Sequence, residues 1–499
     1  MPLCDAMAVP ARLASNMQPG SARHASPDHH TCFLITWLAA PRCVPPTPES
    51  LMELTNGASK AGDWRNYERV MLPPIRDLHK LEVYENKANG YNRLRDVLES
   101  DDWTPESVTN EVKASNLRGR GGAGFPTGLK WSFMPEPDDR PRYLACNADE
   151  SEPGTFKDRQ IMEYNPHLMF EGILIAGYAM QLDACYVYVR GEYADWIRHM
   201  EAQLEQAYDK GYVGDNIMGT DFSMDIVIHK GAGAYICGEE TSLMESLEGK
   251  RGYPRYKPPF PAQKGLWASP TTINNVETLA HAPLIIERGS DWFANTGAEA
   301  HPGPILYGIS GHVNRPGVYE YPTGMLITDL IDEVAQGVID GKGVKAVVPG
   351  GSSVPPLRGD SLDGVTMDSE GLQEAGSMLG TGGMLVLDED TDMVSYLRRV
   401  THFYQHESCG QCTPCREGTG WLERIVTRID EGEGNMRDLD LLLDLCDQME
   451  GRTICAFADA AAWPVRNTVK RFREDFEAKC KPSVHPTGAD LSTAGATAA

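Results

Sequence analysis

The alternation of apolar and polar positions along the chain predicts different kinds of structure in its two halves. Three short apolar runs in the first half predict strands, at 143–147, 184–191 and 224–231. Helical patterns lie between and beyond them, at 165–180, after Gly238 and after Asn274. Strands that alternate with helices in this way favour a parallel α/β sheet.

The second half predicts a small α+β domain followed by a helical domain. A strand, a second strand, a helix and a third strand are predicted in that order, at 305–311, 317–324, 326–337 and 344–351. A stretch rich in Gly, Ser and Pro, residues 349–383, predicts loops. From about 390 to 478 only helical patterns occur.

These changes of pattern predict the limits of the domains. We expect an α/β domain at 56–302, a small α+β domain at 303–388, a helical domain at 389–480 and a flexible tail at 481–499. Residues 1–55 are poor in acids and rich in Ala, Pro, Ser and His. We interpret them as a leader, which is a transit peptide, a disordered tail or a segment upstream of a true start at Met52.

Composition and charge narrow the class of protein. The chain has 46 basic and 71 acidic residues, a formal net charge of −25. Its long-range field repels phosphate polymers, so we expect no nucleic-acid binding. The apolar run at 32–41 is about half the ~20 residues that a membrane span needs. Any contact with a membrane is therefore expected to go through partner proteins.

Three cysteines, Cys409, Cys412 and Cys415, follow the spacing C-x2-C-x2-C, which predicts one iron–sulfur cubane. The fourth ligand must come from elsewhere, and the candidates are Cys446 and Cys455. Cys446 lies on the apolar side of a predicted helix, where free cysteines are often simply buried. Cys455 follows a glycine turn that could present its sulfur, so we favour Cys455.

Two other ligand sets remain open for this region. A zinc site is one alternative, although zinc ribbons use two C-x2-C pairs rather than a triplet and a single cysteine. His402 and His406 lie one helical turn apart just upstream and are rival ligands. Histidines at this spacing more often pack or face solvent.

The densest glycine stretch, residues 117–131, contains G-x-G-x-x-G from Gly119 to Gly124. Glycines let backbone N–H groups approach a phosphate closely. No strand precedes this loop, so it departs from the usual dinucleotide turn. Arg118, Arg120 and Lys130 add local positive charge, as an anionic cofactor requires. A plain flexible loop is the alternative.

Polar motifs follow two of the predicted strands. Asn147, Asp149, Glu150 and Glu152 come after the first strand, at the edge where α/β proteins bind ligands. A second glycine motif, 230–241, opens a helix directly after a strand, which is the better context for a nucleotide. A basic, Pro-rich loop at 251–264 is a candidate lid whose Tyr256 or Phe260 could stack on a flat ring. A solvated acidic turn and a rigid surface connector are the alternatives for the first motif and this loop.

Five motifs in this order resemble one family: RGRGGAGFPTGLKW, NADESEPGTFKD, GAYICGEETSL, KPPFPA with INNVET, and SCGQCTPCREG. The family is the NADH-binding, flavin-containing subunit of respiratory complex I (NADH:quinone oxidoreductase), and the resemblance covers about residues 60–475. It implies a multidomain α/β protein. The parts are a Rossmann-like flavin/NADH domain, a small β-grasp (ubiquitin-like) domain and a C-terminal helical bundle that carries an iron–sulfur cluster.

The resemblance also implies cofactors, FMN and a [4Fe–4S] cluster, and roles for individual residues. FMN is expected between the first glycine loop and the later polar motifs, which supply Gly119, Arg120, Gly121, Gly122, Gly124, Lys130, Asn147, Asp149, Glu150, Tyr235, Gly238, Glu239, Glu240, Asn274, Asn275 and Thr278. NAD(H) is expected to stack on the flavin near Phe125, Phe133 and Phe260, with its polar parts held by Glu152, Glu240 and Lys257. The cluster ligands would be Cys409, Cys412, Cys415 and Cys455.

The implied activity is hydride transfer from NADH to FMN, followed by passage of single electrons to the cluster. The implied partners are other hydrophilic-arm subunits of complex I, especially a small [2Fe–2S] thioredoxin-like subunit and the large iron–sulfur subunit. The implied location is cytoplasmic, peripheral on the inner face of the cell membrane, or the matrix side in a mitochondrion. The alternatives are the diaphorase subunit of an NAD-linked hydrogenase or formate dehydrogenase, and a non-catalytic, zinc-stabilised assembly subunit.

Overall fold

The computed structural model describes residues 64–482, which contain a parallel sheet, a mixed sheet and a C-terminal group of helices. The leader at 1–55 and most of the tail at 481–499 lie outside the described residues. The strands are β1 (Tyr143–Ala148), β2 (Ala184–Val189), β3 (Asp225–Lys230), β4 (Thr271–Asn275), β5 (Gly297–Ala298), β6 (His301–Pro302), β7 (Pro304–Gly311), β8 (Gly317–Pro322), β9 (Val344–Val348), β10 (Leu357–Arg358) and β11 (Gly383–Asp388).

Helices pack against the first sheet and form the end of the described chain. They are α1 (Leu81–Lys87), α2 (Asn92–Glu99), α3 (Pro105–Ala114), α4 (Thr127–Trp131), α5 (Asp158–Tyr164), α6 (Pro166–Met180), α7 (Ala194–Asp209), α8 (Glu240–Leu247), α9 (Val276–Arg288), α10 (Ser290–Ala294), α11 (Ile327–Asp329), α12 (Ser369–Glu374), α13 (Met393–Glu407), α14 (Thr413–Asp430), α15 (Met436–Met449), α16 (Phe457–Arg471) and α17 (Arg473–Lys479).

The first sheet is parallel throughout, with the strand order β3-β2-β1-β4. The three strands predicted from apolar runs are confirmed as β1, β2 and β3. The fourth, β4, was not predicted because its sequence, TTINN, offers one large apolar residue among polar ones. Its first four residues are nevertheless buried, because helices cover the sheet.

The predicted buried helix is α6, and nearly all of its residues are inaccessible to solvent. It packs against α9 so closely that a Cβ at Gly172 would overlap the carbonyl oxygen of Leu279. A residue without a side chain is therefore needed where the two helices cross. This contact fixes α9 beneath the parallel sheet, with its first turn at the end of β4.

The second sheet is mixed, with the order β10-β9-β11-β7-β8. Its central pair, β7 and β11, is parallel, and the remaining neighbours are antiparallel. The predicted strand–strand–helix–strand order is confirmed, although the expected helix at 326–337 is only α11 and a π-helical turn, Leu330–Val334. The prediction of loops alone at 349–383 is wrong, because this stretch contains β10 and α12. β11 was not predicted.

The helical pattern predicted from about 390 to 478 is confirmed by α13 to α17. These helices share one apolar core with the parallel sheet, in which Val394 and Leu422 pack in the same cluster as Tyr188 and Ile273. The cysteine-bearing helices therefore lie directly against the first sheet. In the part of the chain that the structure describes, no helix combines the length and apolar character needed to cross a membrane.

Candidate functional site

The strand order places a crevice between β1 and β4. The chain moves from β1 to β2 and β3 on one side of β1 and then returns to β4 on the other. In an open parallel sheet, ligands bind outside the carboxyl ends of the strands where this direction reverses. Asn147 of β1 and Asn275 of β4 are register partners at that edge. Two of the predicted polar motifs are thus brought together.

The first glycine loop lies against this crevice. It closes on itself, since the N–H of Gly119 donates to the carbonyl of Phe125 at 2.9 Å and the N–H of Thr127 donates to that of Leu117 at 2.8 Å. A Cβ at Gly121 would lie 3.1 Å from the Cβ of Asn275, so only glycine fits here without displacement. Gly122 has a φ of +110°, which L side chains rarely adopt. The loop therefore presents bare backbone beside the ends of β1 and β4.

Arg120 anchors the loop from behind. Its backbone N–H donates to Thr278 Oγ1 at 2.8 Å, and its Nη2 donates to the carbonyls of Pro302 and Pro304 at 2.6 and 3.1 Å. Burial lowers the pKa of this guanidinium to about 10. Its Nε and Nη1 are buried without a hydrogen-bond partner. The side chain thus ties the loop to the strands that lead into the second sheet.

Asn147 and Asp149 connect the acidic motif to the second glycine motif. Asn147 Nδ2 donates to the carbonyl of Gly238 at 2.8 Å, and its Oδ1 accepts from the N–H of Asp149 at 3.1 Å. Burial raises the pKa of Asp149 to about 7, although a hydrogen bond from Ser151 opposes the shift. A carboxyl group that is close to half-protonated at neutral pH therefore lies at the end of β1.

Glu150 turns away from the crevice to cap α5. Its carboxylate accepts from the N–H of Asp158 at 2.7 Å, from the N–H of Arg159 at 3.2 Å and from the hydroxyl of Tyr193 at 3.0 Å. Burial raises its pKa to about 7, with a further contribution from Asp158. These contacts give Glu150 a role in shaping the loop of the acidic motif.

Glu152 reaches the second sheet's domain. Its Oε2 accepts from the Tyr235 hydroxyl at 2.6 Å, and its Oε1 accepts from the N–H of Ser353 at 2.8 Å and from Ser352 Oγ at 3.2 Å. Burial raises the pKa of Glu152, and these donors oppose the shift. The serines lie in the stretch that the sequence predicted as loops, so their role was not foreseen.

A cluster of opposite charges surrounds the start of α8. Glu240 contacts Lys257 Nζ at 2.5 Å and Lys130 Nζ at 3.4 Å. Burial alone would raise the pKa of Glu240, but the two lysines outweigh it and hold the pKa below its ordinary value. Glu239 caps α8 by accepting from the N–H groups of Thr241 and Ser242. Lysines from two distant motifs therefore meet one carboxylate.

A buried polar network underlies the end of β4. Lys157 Nζ lies 2.8 Å from Asp158, 2.6 Å from Glu277 and 3.5 Å from Asn275 Oδ1. Asn275 donates to Asp158 at 2.6 Å and caps α9 at Glu277. Asn274, its neighbour, accepts from the indole N–H of Trp131 at 3.0 Å. Lys157, Asp158 and Glu277 were missed as site residues. The signal was present, since charged residues stand there in otherwise buried segments.

Three phenylalanines predicted near the nucleotide are exposed. The exposed fractions of Phe125, Phe133 and Phe260 are 44, 53 and 55%. The rings of Phe125 and Phe133 lie 6.0 Å apart between centroids, at an interplanar angle of 51°. The Pro-rich loop that carries Phe260 is attached to α8 through Arg255, which pairs with Glu245 and Glu248. Exposed rings beside polar groups are typical of a ligand site.

The four cysteines favoured as ligands lie in one region. Cys409, Cys412 and Cys415 occupy the turn at Gly410 and the start of α14. Cys415 belongs to the apolar cluster of the C-terminal helices, and Cys409, Cys412 and Cys455 pack against that same cluster. The downstream thiol therefore lies in the same part of the fold as the triplet.

The rival ligands are placed differently. Cys446 is fully buried in α15, and its thiol lies 3.4 Å from the carbonyl of Ala462. His402 and His406 are exposed, and His402 lies 3.7 Å from Glu423. Over residues 64–482, all cysteines are free thiols and no three His, Cys, Asp or Glu side chains converge as one bound metal ion requires. A cubane instead takes each thiolate on a separate iron.

Comparison with known proteins places this geometry in a family. Residues 112–284 match the family described as the Nuo51 FMN-binding domain, and residues 395–479 match the NADH-ubiquinone oxidoreductase-F iron-sulfur binding region. The F 2 subunit of the NADH-quinone oxidoreductase of Rhizobium meliloti (strain 1021) is 52% identical over 414 residues, which cover 83% of this chain and 97% of that protein. The chain belongs to the family of NADH-quinone oxidoreductase F subunits.

Further matches agree with this assignment. The F subunit of the NADH-quinone oxidoreductase of Rickettsia bellii (strain OSU 85-389) is 51% identical over 375 residues, or 75% of this chain and 90% of that protein. Residues 306–353 match the SLBB domain. A solved structure of an NAD⁺-reducing [NiFe]-hydrogenase superposes with a TM-score of 0.72 at 34% identity, covering 83% of this chain and 69% of that chain.

Membership of this family confirms the sequence-based identification. The oxidoreductase class, NADH as the nucleotide, and FMN and a [4Fe–4S] cluster as cofactors are confirmed. The mixed α/β architecture with a parallel sheet and C-terminal helices is confirmed as well. The match to an iron–sulfur region speaks against the zinc-stabilised alternative. The hydrogenase alternative has the lower identity and the smaller coverage of the relative.

Proposed function

We propose that the crevice between β1 and β4 holds FMN and NADH in contact, and that the cysteine loop holds the electron acceptor. When bound, FMN takes a hydride from NADH and the [4Fe–4S] cluster takes the electrons one at a time. The observation that carries this proposal is the convergence of four of the five sequence motifs on one sheet edge. The protein's own residues bind these groups and orient them.

The residues at the crevice fit a flat, phosphorylated cofactor. The Gly121–Gly122 backbone is bare, and a Cβ at Gly122 would meet Thr381 Cγ2 in ordinary van der Waals contact at 3.8 Å. The N-terminus of α9 lies next to it, where helix N–H groups favour a phosphate. We assign the glycine loop with Asn274, Asn275 and Thr278 to the phosphate end of FMN. Asn147, Asp149 and Gly238 are assigned to its ring.

The exposed face of the crevice fits a dinucleotide. We assign Phe125, Phe133 and Phe260 to the adenine of NADH, because flat rings stack on exposed aromatic side chains. Glu240, held between Lys130 and Lys257, is assigned to polar groups of the nucleotide. Glu152 already accepts three hydrogen bonds from the protein, so its orientation toward NADH is fixed before binding.

The cysteine loop fits a cubane cluster. Arg416 Nη1 donates to the carbonyl of Gly410 at 2.7 Å, and the φ of +82° at that glycine turns the chain sharply. The loop ends at Cys412, which caps α14. Cys455 comes from a separate segment before α16. We assign Cys409, Cys412, Cys415 and Cys455 as ligands.

The domain limits stated from the sequence remain our proposal, at 56–302, 303–388 and 389–480. The first includes the Rossmann-like parallel sheet, whose order β3-β2-β1-β4 is that of the first four strands of the doubly wound fold. We assign a β-grasp fold to the second. In support, its first and last strands, β7 and β11, form a parallel central pair with an antiparallel neighbour on each side.

We also propose a place for the chain in a larger assembly. The relatives are named as one subunit of an oxidoreductase. We expect partners among the hydrophilic-arm subunits of complex I, especially a small [2Fe–2S] thioredoxin-like subunit and the large iron–sulfur subunit. We expect the chain at the cytoplasmic face of the cell membrane, or at the matrix face in a mitochondrion, and in contact with the membrane only through those partners.

Purified full-length chain tests the function directly. We expect FMN to be released on denaturation, iron and sulfide to be bound, and both chromophores to be bleached anaerobically by NADH. Glu240→Gln should raise the KM for NADH about tenfold, since a charged hydrogen-bond acceptor is lost. Glu201→Gln, at an exposed position of α7, is the matched control. Absence of flavin, or no bleaching by NADH, would contradict the proposal.

A further inference from the structure

Tyr235 links the crevice to the cysteine-bearing helices. Its hydroxyl donates to Glu152 Oε2 at 2.6 Å. Its backbone N–H donates to Glu407 Oε2 at 2.9 Å. Glu407 is the last residue of α13 and stands two residues before Cys409. One residue thus contacts both the acidic motif at the crevice and the helix that leads into the cysteine loop.

The ring of Tyr235 makes the same connection by packing. It lies edge-on to Phe403 and Tyr404 of α13, at centroid distances of 5.1 and 6.1 Å. It also packs on Phe457 at 5.7 Å, and that residue begins α16 two positions after Cys455. Both segments that supply the favoured cysteines therefore rest on Tyr235.

We propose that Glu407 is a positioning residue for electron passage from the flavin crevice to the iron–sulfur cluster. The proposal rests on the proposed function of the two sites. By accepting the Tyr235 N–H, the carboxylate fixes the end of α13, and with it the Cys409 turn, against the wall of the crevice. A hydrogen bond to a carboxylate is stronger than one between neutral groups, and its loss leaves a part-buried N–H unpaired.

The electron count separates two steps that Glu407 affects differently. NADH loses a hydride, which is two electrons and a proton, and becomes NAD⁺. The cluster accepts one electron at a time, so two one-electron acceptors, such as two ferricyanide ions, are reduced for each NADH and the proton is released to solvent. Tunnelling weakens steeply with separation, so a loosened α13 slows passage to the cluster. Hydride transfer is spared, because Lys130, Lys257 and Glu240 are held by α4, α8 and the Pro-rich loop.

The test uses full-length chain loaded with FMN and cluster, mixed anaerobically with NADH and followed at flavin and cluster wavelengths. In Glu407→Ala we expect cluster reduction to slow about tenfold and flavin reduction to stay within about twofold. Glu407→Gln retains an acceptor oxygen and should behave as wild type. Glu407→Asp withdraws the carboxylate and gives a second, milder variant should the alanine variant not fold. Glu433→Ala, an exposed residue paired with Lys481, is the matched control.

Hydrogen exchange supplies a readout that does not depend on turnover. The amide of Tyr235 should exchange about tenfold faster in Glu407→Ala than in wild type or Glu407→Gln. Wild-type rates of cluster reduction in the alanine and aspartate variants would overturn the proposal. Equal slowing of both phases, or no rescue by glutamine, would also overturn it, since that would show a general structural role. If NADH fails to reduce flavin in the wild-type chain, the proposed function itself is wrong.

Discussion

At the scale of single residues, the partners that orient a side chain decide its role more than its residue type does. Arg120 and Glu150 are expected at the cofactor because of their motifs, and the structure shows the contacts that hold them, since Arg120 anchors the glycine loop and Glu150 caps α5. Lys157 lies in the acidic motif without an assigned role, and the structure buries it among Asp158, Glu277 and Asn275. A motif reports which residues are near a site. The partners that turn each side chain come from distant segments.

Replacing Lys157 should destabilise the fold around the crevice. In Lys157→Met the carboxylates of Asp158 and Glu277 stay buried without their cation, and we expect a loss of about 3–5 kcal/mol in the free energy of unfolding. Lys80→Met removes an exposed lysine whose ion pair with Asp77 is worth about 1 kcal/mol at most. Urea denaturation measures both. Equal effects of the two substitutions would contradict the buried network.

Asp149 should make stability depend on pH. Its folded pKa of about 7 lies above the unfolded value of about 3.9, so the folded chain binds more protons between these pH values. Stability therefore falls as pH rises from about 4 to 7, by about 4 kcal/mol from this group, and levels off above. Asp149→Asn should remove that part of the slope, and the exposed Asp215→Asn serves as control. Unfolding curves at several pH values measure this slope, and the same slope in Asp149→Asn as in wild type would contradict the prediction.

At the scale of elements, local patterns predicted those whose burial follows from their own residues. β1, β2, β3 and α6 are apolar runs, and the structure forms them where expected. β4 was not predicted, and the helix that contains α11 was predicted too long. The burial of β4 comes from α9 and the neighbouring strand rather than from its own sequence. The strand that completes the crevice was therefore the least visible from sequence.

Replacing each of two helical glycines by alanine should change stability in opposite directions. Gly172 in α6 has no room for a Cβ against Leu279, so Gly172→Ala should lower stability by about 2 kcal/mol or more. Gly420 in α14 would place its Cβ no closer than 3.5 Å to the flexible end of Arg424. Gly420→Ala should therefore raise stability by about 0.5–1 kcal/mol. Thermal unfolding of both variants gives the comparison, and a stabilised Gly172→Ala would be inconsistent with this packing.

At the scale of the whole molecule, the parallel sheet and the cysteine-bearing helices form one core. The acidic motif and the loop at Ser352 meet at Glu152, and Ser352 Oγ also lies 3.2 Å from the hydroxyl of Tyr404 in α13, so segments from all three proposed domains contribute to one place. Such contacts join residues up to about two hundred positions apart. No local pattern reports them.

Which cysteine is the fourth ligand of the cluster depends on the fold of the whole molecule. Cys455→Ser should lower the iron content and remove the cluster's absorbance, because Cys455 packs against the same apolar cluster as the triplet. Cys446→Ser should keep the iron, since that thiol is buried in α15 against the carbonyl of Ala462. Iron and sulfide analysis of the two variants, with FMN content as control, makes the test. Full iron in Cys455→Ser would assign the ligand elsewhere.

The sequence by itself determined three strands of the parallel sheet and the cysteine triplet, and the resemblance of its five motifs identified the family and the cofactors. The strands and the triplet follow from short-range spacing, because apolar period and ligand spacing are local properties of a chain. Only the tertiary structure placed β4 beside β1, turned Arg120 and Glu150 to their partners and revealed Lys157 beneath the crevice. Those outcomes depend on contacts between distant segments, whose free energy is set by burial in the folded chain.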